Sequence, residues 1–308
     1  MTMTILYFVA GLVGLYFGGD WLVKGAADIA RRFRVSPLVI GLTIVGFGTS
    51  TPELLVSVEA ALDGKAGIAI GNVVGSNIAN ILVILGLSAL VAPLVMQFDR
   101  VRKDLIWMIA AALIVVPMFM TGALTRTHGL ILFAGIVIYV VIALRQVGTE
   151  APEDRPVPPV WQSLALIAVG LVALMVGARF MVDSATDIAR VLGISEAIIG
   201  LTIVAVGTSL PELATSVTAA FRGQREIAIG NVVGSNVFNI LAILGLTAMV
   251  APVPVEARFL MIDTPIMIGV SLLLTAILFV AGGVSRLVGL LFLIGYGVYV
   301  TGMAYGWL

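Results

Sequence analysis

Apolar runs of membrane-crossing length recur from one end of the chain to the other. A helix needs roughly 20 predominantly apolar residues to cross a bilayer. Ten stretches qualify, at about 4–30, 36–62, 66–91, 103–121, 127–145, 161–189, 195–220, 226–250, 258–280 and 284–304, and charges collect mostly between them. Helical period is not diagnostic here, because a span buried in protein and lipid can be apolar all round. Length therefore carries the expectation: an all-α integral membrane fold of ten transmembrane helices. The longest polar stretch, Gln146 to Pro159, is too short to fold alone.

An internal repeat organises the ten spans. Gly41-Leu42-Thr43-Ile44-Val45 recurs as Gly200-Leu201-Thr202-Ile203-Val204, Pro52-Glu53-Leu54 as Pro211-Glu212-Leu213, and the run Ile68–Asn77 unchanged as Ile227–Asn236. The offset is constant, 212 − 53 = 159, and roughly 37 of the 53 positions from Gly41 to Pro93 match their mates. Asp28/Asp187 and Asp104/Asp263 keep the same offset. Five spans per repeat is an odd number, so the second copy enters the membrane inverted, as in many transporters. The predicted units are a first repeat over 1–145, a cytoplasmic linker over 146–160 containing the proline-rich stretch Pro152–Pro159, and a second repeat over 161–308. Loop charge orients them. Arg31, Arg32, Arg34, Arg100, Arg102, Lys103, Arg145, Arg155, Arg222, Arg225 and Arg286 follow odd-numbered spans, against Lys65, Arg126, Arg190 and Arg258 on the other side. The first set is assigned to the cytoplasm, which places both termini outside.

Composition narrows the chemistry. The chain is 60% hydrophobic and 11% charged, against roughly 25% charged residues in a soluble domain. It contains no cysteine and one histidine, His128, in a polar turn. Thiolate and multi-histidine metal sites are thereby excluded, and a bound metal would be held by oxygen. A formal net charge of zero gives no reason to expect a nucleic-acid partner. The expected partners are membrane lipid and inorganic cations, with no protein partner evident. The N-terminus lacks a basic n-region, and its apolar run continues past signal-peptide length, so it reads as the first span.

Glu53 and Glu212 carry the candidate chemistry. An ionisable group at mid-membrane costs at least roughly 2.5–3.5 kcal/mol, and here two occupy matching positions of the repeat. Each could be a protonated, hydrogen-bonded packing residue, but the surrounding Gly-Thr-Ser-x-Pro-Glu motif is too polar for packing alone. Proline lacks an amide hydrogen and clashes with the preceding turn. With Gly48 and Gly207, it predicts helix breaks near Thr49-Ser50 and Thr208-Ser209. Carbonyl oxygens freed there are tolerable in lipid only where they line a cavity or meet a ligand. The second motif, Gly-Asn-Val-Val-Gly-Ser-Asn-x-x-Asn, spans Gly71–Asn80 and Gly230–Asn239. Its glycines permit close helix approach. Asn72, Asn231, Asn77 and Asn236 read as polar glue between helices, and Asn80 and Asn239 as ligands. Two carboxylates, two amide oxygens, hydroxyls and carbonyls suit Ca2+, which takes six to eight oxygens flexibly; Mg2+ gives up water reluctantly. Two carboxylates neutralise one Ca2+, two Na+ or two protons, and competition for one neutralising site is a route to antiport. The remaining intramembrane charges read as structural. Asp20, Lys24 and Asp28, and Arg179, Asp183 and Asp187, have spacings that permit pairing within a helix. Asp104 and Asp263 are expected in first turns, and Glu59 near the membrane surface.

These residues resemble the calcium/cation antiporter superfamily and, within it, the compact prokaryotic sodium/calcium exchangers. The resemblance covers the whole chain and is specific at Gly41–Asn80 and Gly200–Asn239. It implies ten helices, with spans 2, 3, 7 and 8 as the core and spans 1 and 6 sliding across it to alternate access. It implies that Glu53, Glu212, Thr49 and Thr208 coordinate calcium. Ser50, Ser76 and Gly46 would help form one sodium site, and Ser209, Ser235 and Ala205 its mate, with Asn80 and Asn239 between the carboxylates. Some relatives, potassium-dependent ones included, carry Asp where this chain has Asn239, which leans against potassium coupling. Function follows as Na+/Ca2+ antiport in a prokaryotic plasma membrane. Ca2+/H+ antiport through the same glutamates is the alternative, and a cation channel the alternative of another class. A non-transporting scaffold fits the paired carboxylates least. No enzymatic activity and no cofactor are expected.

Overall fold

A computed structural model describes residues 2–145, 158–191 and 205–305, with Thr2, Ala205 and Ala304 described by backbone alone. Residues 146–157 of the linker and the Gly200–Val204 copy of the repeat therefore lie outside the described residues. Helices dominate. In chain order they are α1 (Thr2–Phe33), α2 (Pro37–Ile40), α3 (Gly46–Thr49), α4 (Thr51–Leu62), α5 (Ala66–Ala79), α6 (Gly86–Val91), α7 (Phe98–Met120), α8 (Arg126–Leu144), α9 (Val160–Val191), α10 (Ala205–Gly207), α11 (Leu210–Phe221), α12 (Arg225–Phe238), α13 (Gly245–Val250), α14 (Thr264–Ala281) and α15 (Arg286–Ala304). Wider π-helical turns occupy Gly41–Val45, Asn80–Leu85, Asn239–Leu244 and Phe259–Asp263. Among the described residues, eight helices are long and apolar enough to cross a membrane, and nine if the bent pair Pro37–Thr49 and Thr51–Leu62 is one span.

The core lies where the repeat is strongest. Helix α12 with its π turn and α13 is buried except near its ends, and α5 with α6 is largely buried. The outer helices expose aliphatic and aromatic side chains, such as Leu6, Val9, Leu130, Val137, Leu290 and Val298. Glycine makes the tight contacts possible. A Cβ at Gly230 would stand 2.6 Å from the Leu38 carbonyl oxygen, and one at Gly234 would fall inside the Leu42 backbone. Helices α1 and α9 cross on glycines that exchange partners: Gly11 meets Gly177, and Gly18 meets Gly170.

Short antiparallel pairs staple the loops. Leu94–Val95 (β1) pairs with Gly283–Val284 (β4), and Ala123–Leu124 (β2) pairs with Val253–Pro254 (β3). His128 caps α8: its backbone N–H donates to Thr125 Oγ1, and its Nδ1 accepts from the Thr125 N–H, both at 3.3 Å.

Two structural expectations are corrected. Asp104 and Asp263 do not occupy first turns. The first-turn acid of α7 is Asp99, and Asp104 lies further along, buried, with the Tyr139 hydroxyl 3.3 Å away. Asp263 ends a π turn, where it accepts from Tyr299 at 2.8 Å and Arg258 at 3.2 Å. Each carboxylate is thus buried against a tyrosine from another helix, where the benefit of a helix end is replaced by a direct donor. Asp20 does not pair with Lys24 on its own helix; it reaches Arg222, at the end of α11.

Candidate functional site

The predicted breaks appear. Helices α3 and α4 meet at Ser50 with a bend of 44°, and α10 and α11 are separated by Thr208-Ser209. Pro52 and Pro211 stand in the first turn of the new helix, where a missing N–H costs least. They cannot supply the amide hydrogens that the Gly48 and Gly207 carbonyls would take in a continuous helix. Glu53 and Glu212 then sit in the first turn of α4 and α11. The positive end of a helix dipole favours a carboxylate there.

Each carboxylate is completed by the other repeat. Ser50 Oγ lies 2.9 Å from Glu212 Oε1 and 3.0 Å from Ser235 Oγ. Ser209 Oγ lies 3.0 Å from Glu53 Oε1 and 3.5 Å from Ser76 Oγ. A serine has one hydrogen to give. If it goes to the carboxylate, the second serine donates to the first. Ser235 Oγ is also 3.5 Å from the Gly46 carbonyl oxygen. The hydroxyl groupings therefore differ from those the resemblance implies. Ser50 and Gly46 lie with Ser235, not Ser76, and Ser76 lies with Ser209. The reason is topological: the serine step of each break faces the Ser-Asn step of the opposite repeat. Of Ala205 only the backbone, at the start of α10, is described.

The asparagines divide into two kinds. Asn72 donates to the Glu53 carbonyl oxygen at 3.0 Å and to Ser57 Oγ at 2.9 Å, and its own Oδ1 is 3.4 Å from Thr208 Oγ1. Asn231 repeats this with the Glu212 carbonyl oxygen at 3.2 Å, Ser216 at 2.8 Å and Thr49 Oγ1 at 3.2 Å. These residues, with Ser57 and Ser216, pin the helix turn bearing each glutamate. The serines were not singled out in the sequence, although their offset of 159 marks them. Asn80 and Asn239 each open a π turn, a distortion frequent at functional sites. Asn80 donates to Asn236 Oδ1 at 2.9 Å, and Asn239 Nδ2 is 3.5 Å from Asn77 Oδ1.

Around the two glutamates, four buried acceptor oxygens are without a hydrogen-bond partner: Glu53 Oε2, Glu212 Oε2, Asn80 Oδ1 and Asn239 Oδ1. They are symmetric mates, and the four residues are each about 1% exposed. Orphaned buried acceptors are expensive, and an oxygen-seeking cation would satisfy them. Among the described residues no group of three or more His, Cys, Asp or Glu side chains is placed to hold a metal ion together. This site therefore has two fixed charges surrounded by neutral oxygens, the composition of a site for a hard cation.

An apolar helical bundle with broken central helices and a buried, two-carboxylate oxygen cage defines a membrane ion-transport protein. The comparisons make this specific. Residues 3–145 and 162–305 match the sodium/calcium exchanger protein family. A putative antiporter, CaxA, of Alkalimonas amylolytica is 37% identical over 285 residues, covering 89% of each chain. The sodium/calcium exchanger MaX1 of Methanosarcina acetivorans is 32% identical over 99% of each chain. The solved structure of the sodium-calcium exchanger NCX_Mj soaked with 10 mM Na+ and zero Ca2+ is 36% identical, covers 98% of each chain and superposes with a TM-score of 0.85. This chain belongs to the sodium/calcium exchanger family of membrane antiporters.

Proposed function

We propose that the chain exchanges Na+ for Ca2+ by alternating access at the Glu53/Glu212 site. The observation that carries this reading is the symmetric set of four unpartnered buried oxygens at this site, two of them carboxylate. Ca2+ would take the carboxylates together with Thr49 and Thr208. Na+ would use the hydroxyl clusters Ser50–Ser235–Gly46 and Ser209–Ser76, the second with Ala205. Neutral hydroxyls in contact with each carboxylate favour sodium over proton as the coupling ion, because a proton needs one carboxylate and no cage. The decisive experiment is 45Ca2+ uptake into Na+-loaded proteoliposomes, against Na+-free liposomes carrying a pH gradient. Uptake that requires outward-directed Na+ supports this reading, and uptake driven by the pH gradient alone replaces it with Ca2+/H+ antiport.

The same reading takes the fold as ten spans in two inverted repeats, 1–145 and 161–308, joined by a cytoplasmic linker, with both termini outside. The loop contacts support that parity. Six of the ten spans separate β1 from β4, four separate β2 from β3, and four separate Arg100 from Glu226, which it meets at 2.9 Å. Even numbers return the chain to the same side each time. The membrane is taken as a prokaryotic plasma membrane, in line with the 37% identical inner membrane protein YrbG of Escherichia coli. Lipid and inorganic cations are the partners this reading requires.

Two further results are expected. Ser50→Ala and Ser209→Ala each remove a hydrogen bond to a charged acceptor, worth about 1.5–3 kcal/mol. Half-saturating Na+ should rise by roughly ten- to a hundredfold if that energy is spent on the ion, measured as Na+-dependent Ca2+ flux. An unchanged Na+ dependence in both would remove the hydroxyls from the sodium sites. Replacing K+ with choline should leave the flux unchanged, because Asn239 is neutral. Severalfold stimulation by K+ would reverse that assignment.

A further inference from the structure

The repeat relates two charged pairs with their signs exchanged. Asp20 on α1 matches Arg179 on α9, since 179 − 20 = 159, and Asp63 after α4 matches Arg222 after α11, since 222 − 63 = 159. Both turns are built alike: Gly64 and Gly223 follow them at φ 73°. Reversal at one position alone would turn attraction into repulsion in one half. Reversal at both keeps an acid opposite an arginine in each. Only one of the two bridges is made. Asp20 is ion-paired with Arg222, whereas Arg179 takes Asp183 of its own helix at 3.7 Å, and Asp63 takes Lys65 at 2.9 Å.

Packing shows the same asymmetry. Helix α1 lies along α11, so close that a Cβ on Gly19 would stand 3.1 Å from the Ala214 carbonyl oxygen and 3.0 Å from Thr218 Oγ1. Helix α9 has at most marginal contact with α4, the corresponding pair. The unpaired half is also prepared to receive a cation. Glu59, the mate of Thr218, sits exposed one turn before Asp63, so Arg179 would meet two acids at the end of α4. Each helix carries a fallback at helical spacing: Arg179–Asp183 on α9, and Asp20 with Lys24, the mate of Asp183, on α1. A fallback keeps the net gain of either bridge small, which makes it reversible.

We propose that Asp20–Arg222 and Arg179–Asp63 are alternating latches: one closes the α1/α9 pair over α11, the other closes it over α4, and they are made in turn. This rests on the alternating-access reading above. With the cytoplasmic assignment of the Arg222 loop, the bridge that is made latches the inner side. These residues position the moving helices and do not touch the transported ion.

The chain contains no cysteine, so paired spin labels can be placed without background. Exposed mates serve: Phe17 with Phe221 reports on α1–α11, and Val176 with Leu62 reports on α9–α4. Distances are measured in proteoliposomes at ion concentrations where both states are populated. Asp20→Asn should lower the ratio of the α1–α11-closed to the α9–α4-closed state, and Arg179→Gln should raise it. Each shift should be about two- to fivefold, as expected for a partly exposed ion pair. The swapped double variant Asp20→Arg/Arg222→Asp should return the ratio towards wild type. A single unchanging distance, no shift, or shifts of the same sign, with Na+-driven Ca2+ uptake intact, overturns the latch. Lack of Na+-driven uptake by the wild-type protein overturns the exchange reading instead.

Discussion

Replacing Glu53 by glutamine is expected to abolish Ca2+ exchange, and Glu212→Gln to do the same. Glutamine keeps the shape and one carbonyl oxygen, so the helix start at Pro52-Glu53 and the Ser209 contact of 3.0 Å can survive. On the proposed site, what is lost is one of the two charges that would face a divalent ion in a buried cage. Removing one partner of a buried charge pair costs about 3–5 kcal/mol, which is roughly a hundred- to several-thousandfold in affinity. The amide also brings an NH2 donor to a site whose unpartnered atoms are all acceptors, so half of its orientations present hydrogen to the cation. Isothermal titration of Ca2+ to the purified protein separates binding from movement. Near-normal Ca2+ binding and flux in either variant would remove that glutamate from the site.

The sequence revealed the glutamates for a physical reason. A charge in an apolar run is costly, so its presence needs an explanation. The constant offset supplied the pairing of motifs, and Pro52 and Pro211 located the breaks to within a residue or two of where Ser50 and Ser209 lie. What it left open was which repeat completes which half-site. Ser76 and Ser235 belong to identical strings, IAIGNVVGSN, and a string cannot say whether it folds against its own break or the other. The answer depends on helix packing across the repeats, where Gly41 approaches Ile227 and Asn231. The partner of Asp20 is hidden for a related reason. Spacing along α1 offered Lys24, but Arg222 from a distant turn was the partner. Local periodicity reports what a helix could do alone, and the tertiary fold provides a competitor it cannot list. The outer spans were legible to within a few residues from hydropathy, because nothing but lipid constrains their outward faces.

Gly234→Ala should disable the protein although it adds one methyl group and raises helix propensity. The added Cβ would overlap the Leu42 backbone, and backbone cannot rotate away as a side chain can. Helix α12 must then move off the π turn Gly41–Val45. Overpacking of this kind costs about 1–3 kcal/mol. The damage to function should exceed the damage to stability, because the next residue, Ser235, holds Ser50 at 3.0 Å, and Ser50 in turn holds Glu212 at 2.9 Å. A shift of even half an ångström at Gly234 is passed directly to a carboxylate of the site. Na+-driven Ca2+ uptake should fall by at least about tenfold, the equivalent of roughly 1.4 kcal/mol, while the thermal midpoint drops by a few degrees and the protein still assembles in the membrane. Gly230→Ala, which meets the Leu38 carbonyl oxygen one turn away, tests whether the fault is the interface or the site. It should lower stability comparably and uptake less, because its neighbour Asn231 holds the Glu212 backbone carbonyl oxygen and Thr49 Oγ1 rather than a carboxylate oxygen. Equal loss of uptake in both would mean that the whole interface sets the site geometry, and wild-type uptake in Gly234→Ala would mean that α12 and the π turn are free to part without disturbing Glu212.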